Sequence, residues 1–165
     1  MTDVLLTADL CDAHDSLVQV AKPIFRDYGG RSKFSGPVKT VRLFEDNTLL
    51  RQALETPGDN RVLVVDGGGS DRCALFGGLL AEMAQNNGWA GLVINGYVRD
   101  SLEISEFDIG VRALGTCPRK SEKRGKGNED VTLFFADVEI HKTDYIYADE
   151  DGLLVASKNL VNTAD

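Results

Sequence analysis

The sequence predicts a single α/β domain built on a mixed β sheet, open or closed, with helices on one side. Three features carry that prediction. Short apolar runs such as Arg61-Val62-Leu63-Val64-Val65 have the length of buried strands. A helical pattern, Leu80, Met83, Ala84 and Asn87, separates that run from the apolar segment at 91–94, which makes a βαβ unit. From Val131 onward the chain is a series of short strands divided by turn residues.

Taken in order, Thr7 is placed to cap a short helix over residues 8–13. Strands follow at 18–20 and 38–44, the second with Val41 and Leu43 inward and Thr40 and Arg42 outward. Asp46 or Asn47 starts a helix through Leu49, Leu50, Ala53 and Leu54, and Pro57-Gly58 stops it. The first strand of the βαβ unit leaves through Asp66-Gly67-Gly68-Gly69-Ser70, and Asn87-Gly88 ends its helix. Further strands are expected at 109–114, 131–135, 138–141 and 145–147. A charged loop spans 118–130, and Asp151-Gly152 turns the chain into a last strand at 153–156. No repeat or linker divides the 165 residues, so one domain spans 1–165.

Composition narrows the function. The chain is 42% hydrophobic and 27% charged, as globular domains are. A net charge of −8 argues against a direct nucleic-acid partner, because phosphate contacts need clustered basic charge. Cys11, Cys73 and Cys117 lie far apart with no CxxC pair, so neither a disulfide framework nor a zinc site is indicated. No apolar run approaches the roughly 18 residues of a membrane span, and no basic-apolar leader precedes the first element. A cytoplasmic protein without membrane contact is expected.

The chemistry concentrates between Asp66 and Glu103. Two glycines inside a helix would cost about 2 kcal/mol relative to alanine, so Gly77-Gly78 places the helix N-terminus at or just before Gly77. The amides of Gly77, Gly78, Leu79 and Leu80 then form an anion site backed by the helix dipole. A helix and a returning parallel strand bring Arg99, Asp100 and Glu103 to the same edge of the sheet, where open α/β sheets bind ligands. A carboxylate or phosphate held by these amides and Arg99, beside Asp100 and Glu103, is the reading.

The Asp66-Gly67-Gly68-Gly69 loop, the Gly78-x20-Arg99-Asp100-x2-Glu103 pattern and the closing Tyr147-Ala148-Asp149-x-Asp151-Gly152 together resemble the family named for regulator of ribonuclease activity A. That family includes the class II 4-hydroxy-4-methyl-2-oxoglutarate aldolases and oxaloacetate decarboxylases. The resemblance runs from Thr7 to Ala156. It implies a β/β/α swivelling-type fold with a closed, barrel-like mixed sheet and flanking helices. It further implies a homotrimer, open to stacking as a hexamer, with sites in clefts between subunits, and a divalent cation, Mg2+ or Mn2+, at Asp100. Members acting only as ribonuclease regulators tend to lose that aspartate, which this chain keeps; some dedicated aldolases carry an acid where this chain has Gly78.

The activity so implied is cleavage of a C–C bond in a short 2-oxo dicarboxylate through the enolate of pyruvate, by oxaloacetate decarboxylation more readily than by cleavage of 4-hydroxy-4-methyl-2-oxoglutarate or 4-carboxy-4-hydroxy-2-oxoadipate. In that scheme Arg99 and Asp100 are catalytic, the amides of Gly77 to Leu80 and Arg99 bind substrate, and Glu103 reaches the metal through a water. The alternative is a non-catalytic protein that binds and modulates ribonuclease E.

Plainer readings stand beside these. Arg99-Asp100 alone could be a surface ion pair. Gly67-Gly68-Gly69 fails the G-x-G-x-x-G fingerprint because Arg72 takes the third glycine's place, and a tight turn is favoured. Cys11, with His14 three residues on, reads as packing or surface, His141 as a strand residue, and Asp149-Glu150-Asp151 as a hairpin turn rather than a cation loop. The basic cluster Arg119, Lys120, Lys123, Arg124 and Lys126 reads as a solvated mobile loop, or else as a segment that reaches a neighbouring subunit's cleft and draws in dianionic substrates.

Overall fold

The computed structural model describes residues 6–161. Its elements, in chain order, are α1 (Thr7–His14), a 3-10 turn (Asp15–Leu17), β1 (Val18–Val20), β2 (Arg26–Asp27), β3 (Phe34–Arg42), α2 (Thr48–Leu54), β4 (Val62–Asp66), β5 (Ala74–Phe76), α3 (Gly78–Asn86), β6 (Gly91–Val98), α4 (Ser101–Ile104), β7 (Gly110–Thr116), β8 (Asn128–Glu129), β9 (Leu133–Phe135), β10 (Val138–Ile140), β11 (Tyr145–Asp149) and β12 (Gly152–Ala156).

Among the described residues one large mixed sheet runs β1-β12-β11-β3-β4-β6-β7-β2, with β5 paired to β6 and β8 to β3. Its middle, β3-β4-β6-β7, is parallel, and β11, β12, β1 and β2 extend it antiparallel. The path ends at β1 and β2 and no ladder joins them, so the closed barrel-like sheet implied by the resemblance is corrected to an open one. The separate β9-β10 hairpin packs over one face.

Strand periodicity decides what each face meets. Leu63, Val65, Leu92, Ile94 and Val111 point to one side and join Leu50, Leu54, Leu80, Ala84 and Ile104 from α2, α3 and α4. Val62, Val64 and Val93 point to the other and join Leu133, Ile140, Ile146 and Val155 from β9 to β12. This alternation of two in the strands gives the layering β, β, α, with α2 to α4 on one side as expected. Thr40 departs from the expected outward position: it is fully buried.

At the N-terminus the expected cap is also corrected. α1 starts at Thr7 itself, and the Thr7 hydroxyl donates to Asp149 Oδ1 (2.7 Å) while its amide donates to Oδ2 (2.8 Å). The Asp151 amide donates to the same carboxylate (2.9 Å), closing the β11–β12 turn. Burial would push the Asp149 carboxyl up, but these bonds outweigh it and hold it below the ordinary carboxylate range. One buried acid thus ties the first helix to the last hairpin. Asp149→Ala strands the Thr7 and Asp151 donors and is expected to cost about 2–3 kcal/mol, read from urea denaturation.

Candidate active site

The site lies where the parallel strands end. β5 is short, pairing with the last residues of β6, and the Arg99 amide donates to Phe76 O (2.9 Å). That single bond sets the start of α3 beside the residues that follow β6. Gly77 is the residue before α3, in extended conformation, so the helix begins where the glycine pair predicts. Gly88, with φ +80°, sits just past the helix end in the left-handed conformation that the Asn87-Gly88 stop requires.

Close approach, not φ, explains both glycines. A Cβ on Gly77 would lie 2.8 Å from Asp100 Oδ2 and 3.2 Å from Arg99 Cγ. A Cβ on Gly78 would run into the Glu103 carboxylate. Arg99, Asp100 and Glu103 therefore converge on Gly77-Gly78. Asp100 adopts a left-handed conformation (φ 57°, ψ 41°), which a short polar side chain tolerates best, and starts the single turn of α4.

One expected feature changes. The Gly78 amide is not open to an external anion: it donates to Asp100 Oδ2 (3.0 Å), so the protein's own carboxylate takes part of the helix terminus. The first-turn amides of Leu79 and Leu80 have no intrahelical acceptor and remain for a ligand. Arg99 makes no ion pair among the described residues, with Asp100 or with any other acid, which removes the surface-pair reading.

A cleft of about 110 Å³ is lined by Phe76, Gly77, Gly78, Leu79, Leu80, Arg99 and Asp100. Its lining also holds Asn47 and Arg51 of the α2 region and Ser121, which carry no role in the site from sequence alone, together with Lys120 and Lys123 of the basic cluster, which line this chain's own cleft. Glu103 stands at the glycine pair outside this lining. Cys11, His14 and His141 lie on other elements and take no part.

The charged loop is not mobile ribbon. Ala74 bridges Lys120, the Ala74 amide donates to Arg119 O (2.7 Å), the Glu122 amide to Glu45 O (2.9 Å), and the Asn47 amide to Glu122 O (3.2 Å). Asp46, buried at 3% exposure, anchors it further. Its carboxylate accepts from the Thr48 hydroxyl and amide (2.7 and 3.0 Å) and from the Arg124 and Lys126 amides (2.7 and 3.3 Å). Burial alone would raise the Asp46 carboxyl; these bonds overcome it and bring it down to about 2.

A divalent ion fits the donor set. Asp100 and Glu103 offer hard carboxylate oxygens at adjacent positions, and neither is in an ion pair. Among the described residues no group of three or more His, Cys, Asp or Glu gathers, so an ion here would rest on one or two carboxylates and be completed by water and substrate oxygens, as Mg2+ can be.

The aldolase/RraA family model, RraA-like, matches residues 7–155. The chain belongs to the RraA-like family. A relative from Alkalilimnicola ehrlichii, named "Putative 4-hydroxy-4-methyl-2-oxoglutarate aldolase", is 56% identical over 155 residues, covering 94% of this chain and 96% of its own. Among solved structures, one from Geobacillus kaustophilus described as an S-adenosylmethionine:2-dimethylmenaquinone methyltransferase superposes with a TM-score of 0.95 at 51% identity, covering 98% of this chain and all of its own. The RNA-processing inhibitor RraA from Thermus thermophilis superposes at 0.93 with 45% identity, covering 98% of each chain. Among the described residues of this RraA-like chain no helix is long and apolar enough to cross a membrane.

Two outcomes test the site. The Asp46 carboxyl has a folded value near 2 against an ordinary 3.8, so its stabilisation, about 2 kcal/mol, is fully present above pH 4 and disappears as pH falls toward 2. In urea titrations at stepped pH, the stability gap between wild type and Asp46→Asn is expected to close over that window. Gly78→Ala displaces only the flexible end of exposed Glu103, so the melting temperature should hardly move while metal affinity, read by calorimetry, weakens.

Proposed function

We propose that this RraA-like protein is a divalent-metal-dependent lyase that cleaves a C–C bond of short 2-oxo dicarboxylates to give pyruvate. The observation that carries the reading is the meeting of an unpaired Arg99, the Asp100 carboxylate and the start of α3 in one cleft, with the Glu103 carboxylate against Gly78. The aldolase name of relatives more than half identical over nearly the whole chain supports the same class.

Decarboxylation of oxaloacetate and aldol cleavage both leave negative charge on the 2-oxo oxygen. The amides of Leu79 and Leu80 would hold the substrate's 1-carboxylate. Arg99 would donate to the 2-oxo oxygen and bind it more strongly as charge develops, which lowers the barrier rather than tightening substrate alone. Asp100 would hold the metal, with Glu103 reaching it through a water; when bound, the ion supplies Lewis-acid polarisation of the 2-oxo group. The Gly78 amide fixes the Asp100 carboxylate for that task. Loss of CO2 needs no protein base before the bond breaks. Aldol cleavage must also remove a hydroxyl proton.

Homotrimers or hexamers, with the cleft between subunits, accord with Leu79 and Leu102, which flank the site and are 80% and 81% exposed. A second reading, a protein that binds and modulates ribonuclease E, rests on the Thermus RNA-processing inhibitor. A binding module has no physical need for two free carboxylates beside an unpaired arginine, and the lyase is favoured.

With Mg2+ the purified protein should turn oxaloacetate into pyruvate faster than the metal alone, and a chelator should abolish the difference. Arg99→Ala and Asp100→Ala should each lower kcat by about 10²-fold or more, with the oligomer unchanged by size-exclusion chromatography. Wild-type turnover in either variant removes that residue from the mechanism.

A further inference from the structure

A second hollow, of about 800 Å³, lies between the end of β3, the turn into α2 and the charged loop. That is the size of a small-molecule site. Arg42, Arg119 and Lys126 line it and take no part in the cleft at Arg99, while Lys120 and Ser121 line both.

The charges around this groove do not balance. Its four carboxylates are already served by the protein. Glu45 accepts from Arg72 (2.7 and 2.8 Å) and from the Ser70 hydroxyl (2.8 Å), and Glu122 pairs with Arg124 (3.1 Å). Asp66 accepts from the Gly68 amide and from Asn95, and Asp46 from Thr48 and the Arg124 and Lys126 amides. The cations are not so served: Arg42, Arg119, Lys120 and Lys126 make no ion pair among the described residues. Six basic side chains line the groove against four acidic ones, a positive excess in a chain whose net charge is −8. Ser121 adds an independent sign. It is 7% exposed and its hydroxyl has no hydrogen-bond partner, whereas buried polar groups almost always have one.

We infer that this groove binds a diphosphate group, carried by free pyrophosphate or by a nucleotide. The cations are spread along it. Asn128 pairs with Arg42 in the β3–β8 ladder and the Lys126 amide is tied to Asp46, which sets Arg42 and Lys126 beside β3. Arg119 stands beside β5, where its carbonyl accepts from the Ala74 amide (2.7 Å). Two linked phosphates meet both groups at once, with the Ser121 hydroxyl as a further donor, and guanidinium forks match phosphate oxygens in pairs. Because the loop backbone is already fixed at Asp46 and Ala74, binding has little chain left to order. None of this draws on Arg99, Asp100 or Glu103, so the groove stands apart from the lyase reading.

Calorimetric titration of the metal-free protein with inorganic phosphate, inorganic pyrophosphate and ADP tests the site. Pyrophosphate should bind about tenfold or more tightly than phosphate. Arg42 and Lys126 are exposed, so Arg42→Gln/Lys126→Gln should leave the melting temperature in place while weakening pyrophosphate about tenfold or more. Ser121→Ala should weaken it less, and Arg99→Ala should bind it as wild type does. ADP binding more tightly than pyrophosphate assigns the group to a nucleotide; weaker or equal binding assigns it to free pyrophosphate. Absence of pyrophosphate binding, equal affinity for phosphate, wild-type affinity in the double variant, or loss of binding in Arg99→Ala each overturns the site.

Discussion

The site depends on a contact that only absent side chains allow. Gly77 and Gly78 let the start of α3 press against Asp100, Arg99 and Glu103, so that two successive crossings of the sheet deliver their ends to one place. Three bonds hold the junction: Arg99 N to Phe76 O, Gly78 N to Asp100 Oδ2, and Ile104 N to Asp100 O. A left-handed aspartate costs on the order of 1 kcal/mol, and such strain persists only where the surroundings over-determine it. Here the helix terminus does so through charge: the Asp100 carboxylate is held by the amide dipoles it partly neutralises.

The second wall is built around another carboxylate. Asp46 ends the β3 crossing, starts α2 by accepting from Thr48, and draws in the amides of Arg124 and Lys126. Two of the four hydrogen bonds to this buried acid come from Thr48 and two from the Arg124 and Lys126 amides, so it ties a stretch dense in lysine and arginine to the start of α2 despite the repulsion among its charges. Cations held in place near a low-dielectric wall act on a ligand far more strongly than the same cations on a mobile loop.

The βαβ unit was legible because glycine pairs and apolar runs are local signals. The start of α3 at Gly77-Gly78, the stop at Gly88 and the strands β4 and β12 follow from them. β2, β5 and β8 left no trace: each is two or three residues long, too short for a period to show, and each exists only because a neighbour supplies a ladder. Thr7 satisfied the rule for a cap, but a tertiary acid 142 positions away took its hydroxyl instead. Likewise the Gly78-to-Glu103 stretch was visible as a motif, whereas Asn47, Arg51 and Ser121 joined it only through the third dimension.

A relative more than half identical to this chain carries an aldolase's name, while structures that superpose on it almost completely carry a methyltransferase's and an RNA-processing inhibitor's, so shared architecture cannot arbitrate among those activities. Unsatisfied groups can. The Gly67-Gly69 loop is spent on itself: Asp66 Oδ1 accepts from the Gly68 amide (2.9 Å) and from Asn95 (2.9 Å), and Leu75 fills the space beside Gly67. The cleft at Arg99 is the opposite case: Arg99, Lys120 and Lys123, which make no ion pair among the described residues, a buried Ser121 hydroxyl without a partner and the Asp100 carboxylate line one volume of about 110 Å³. These groups are complementary in sign to a small acid, and it is on them, rather than on the fold, that the proposed lyase reading rests.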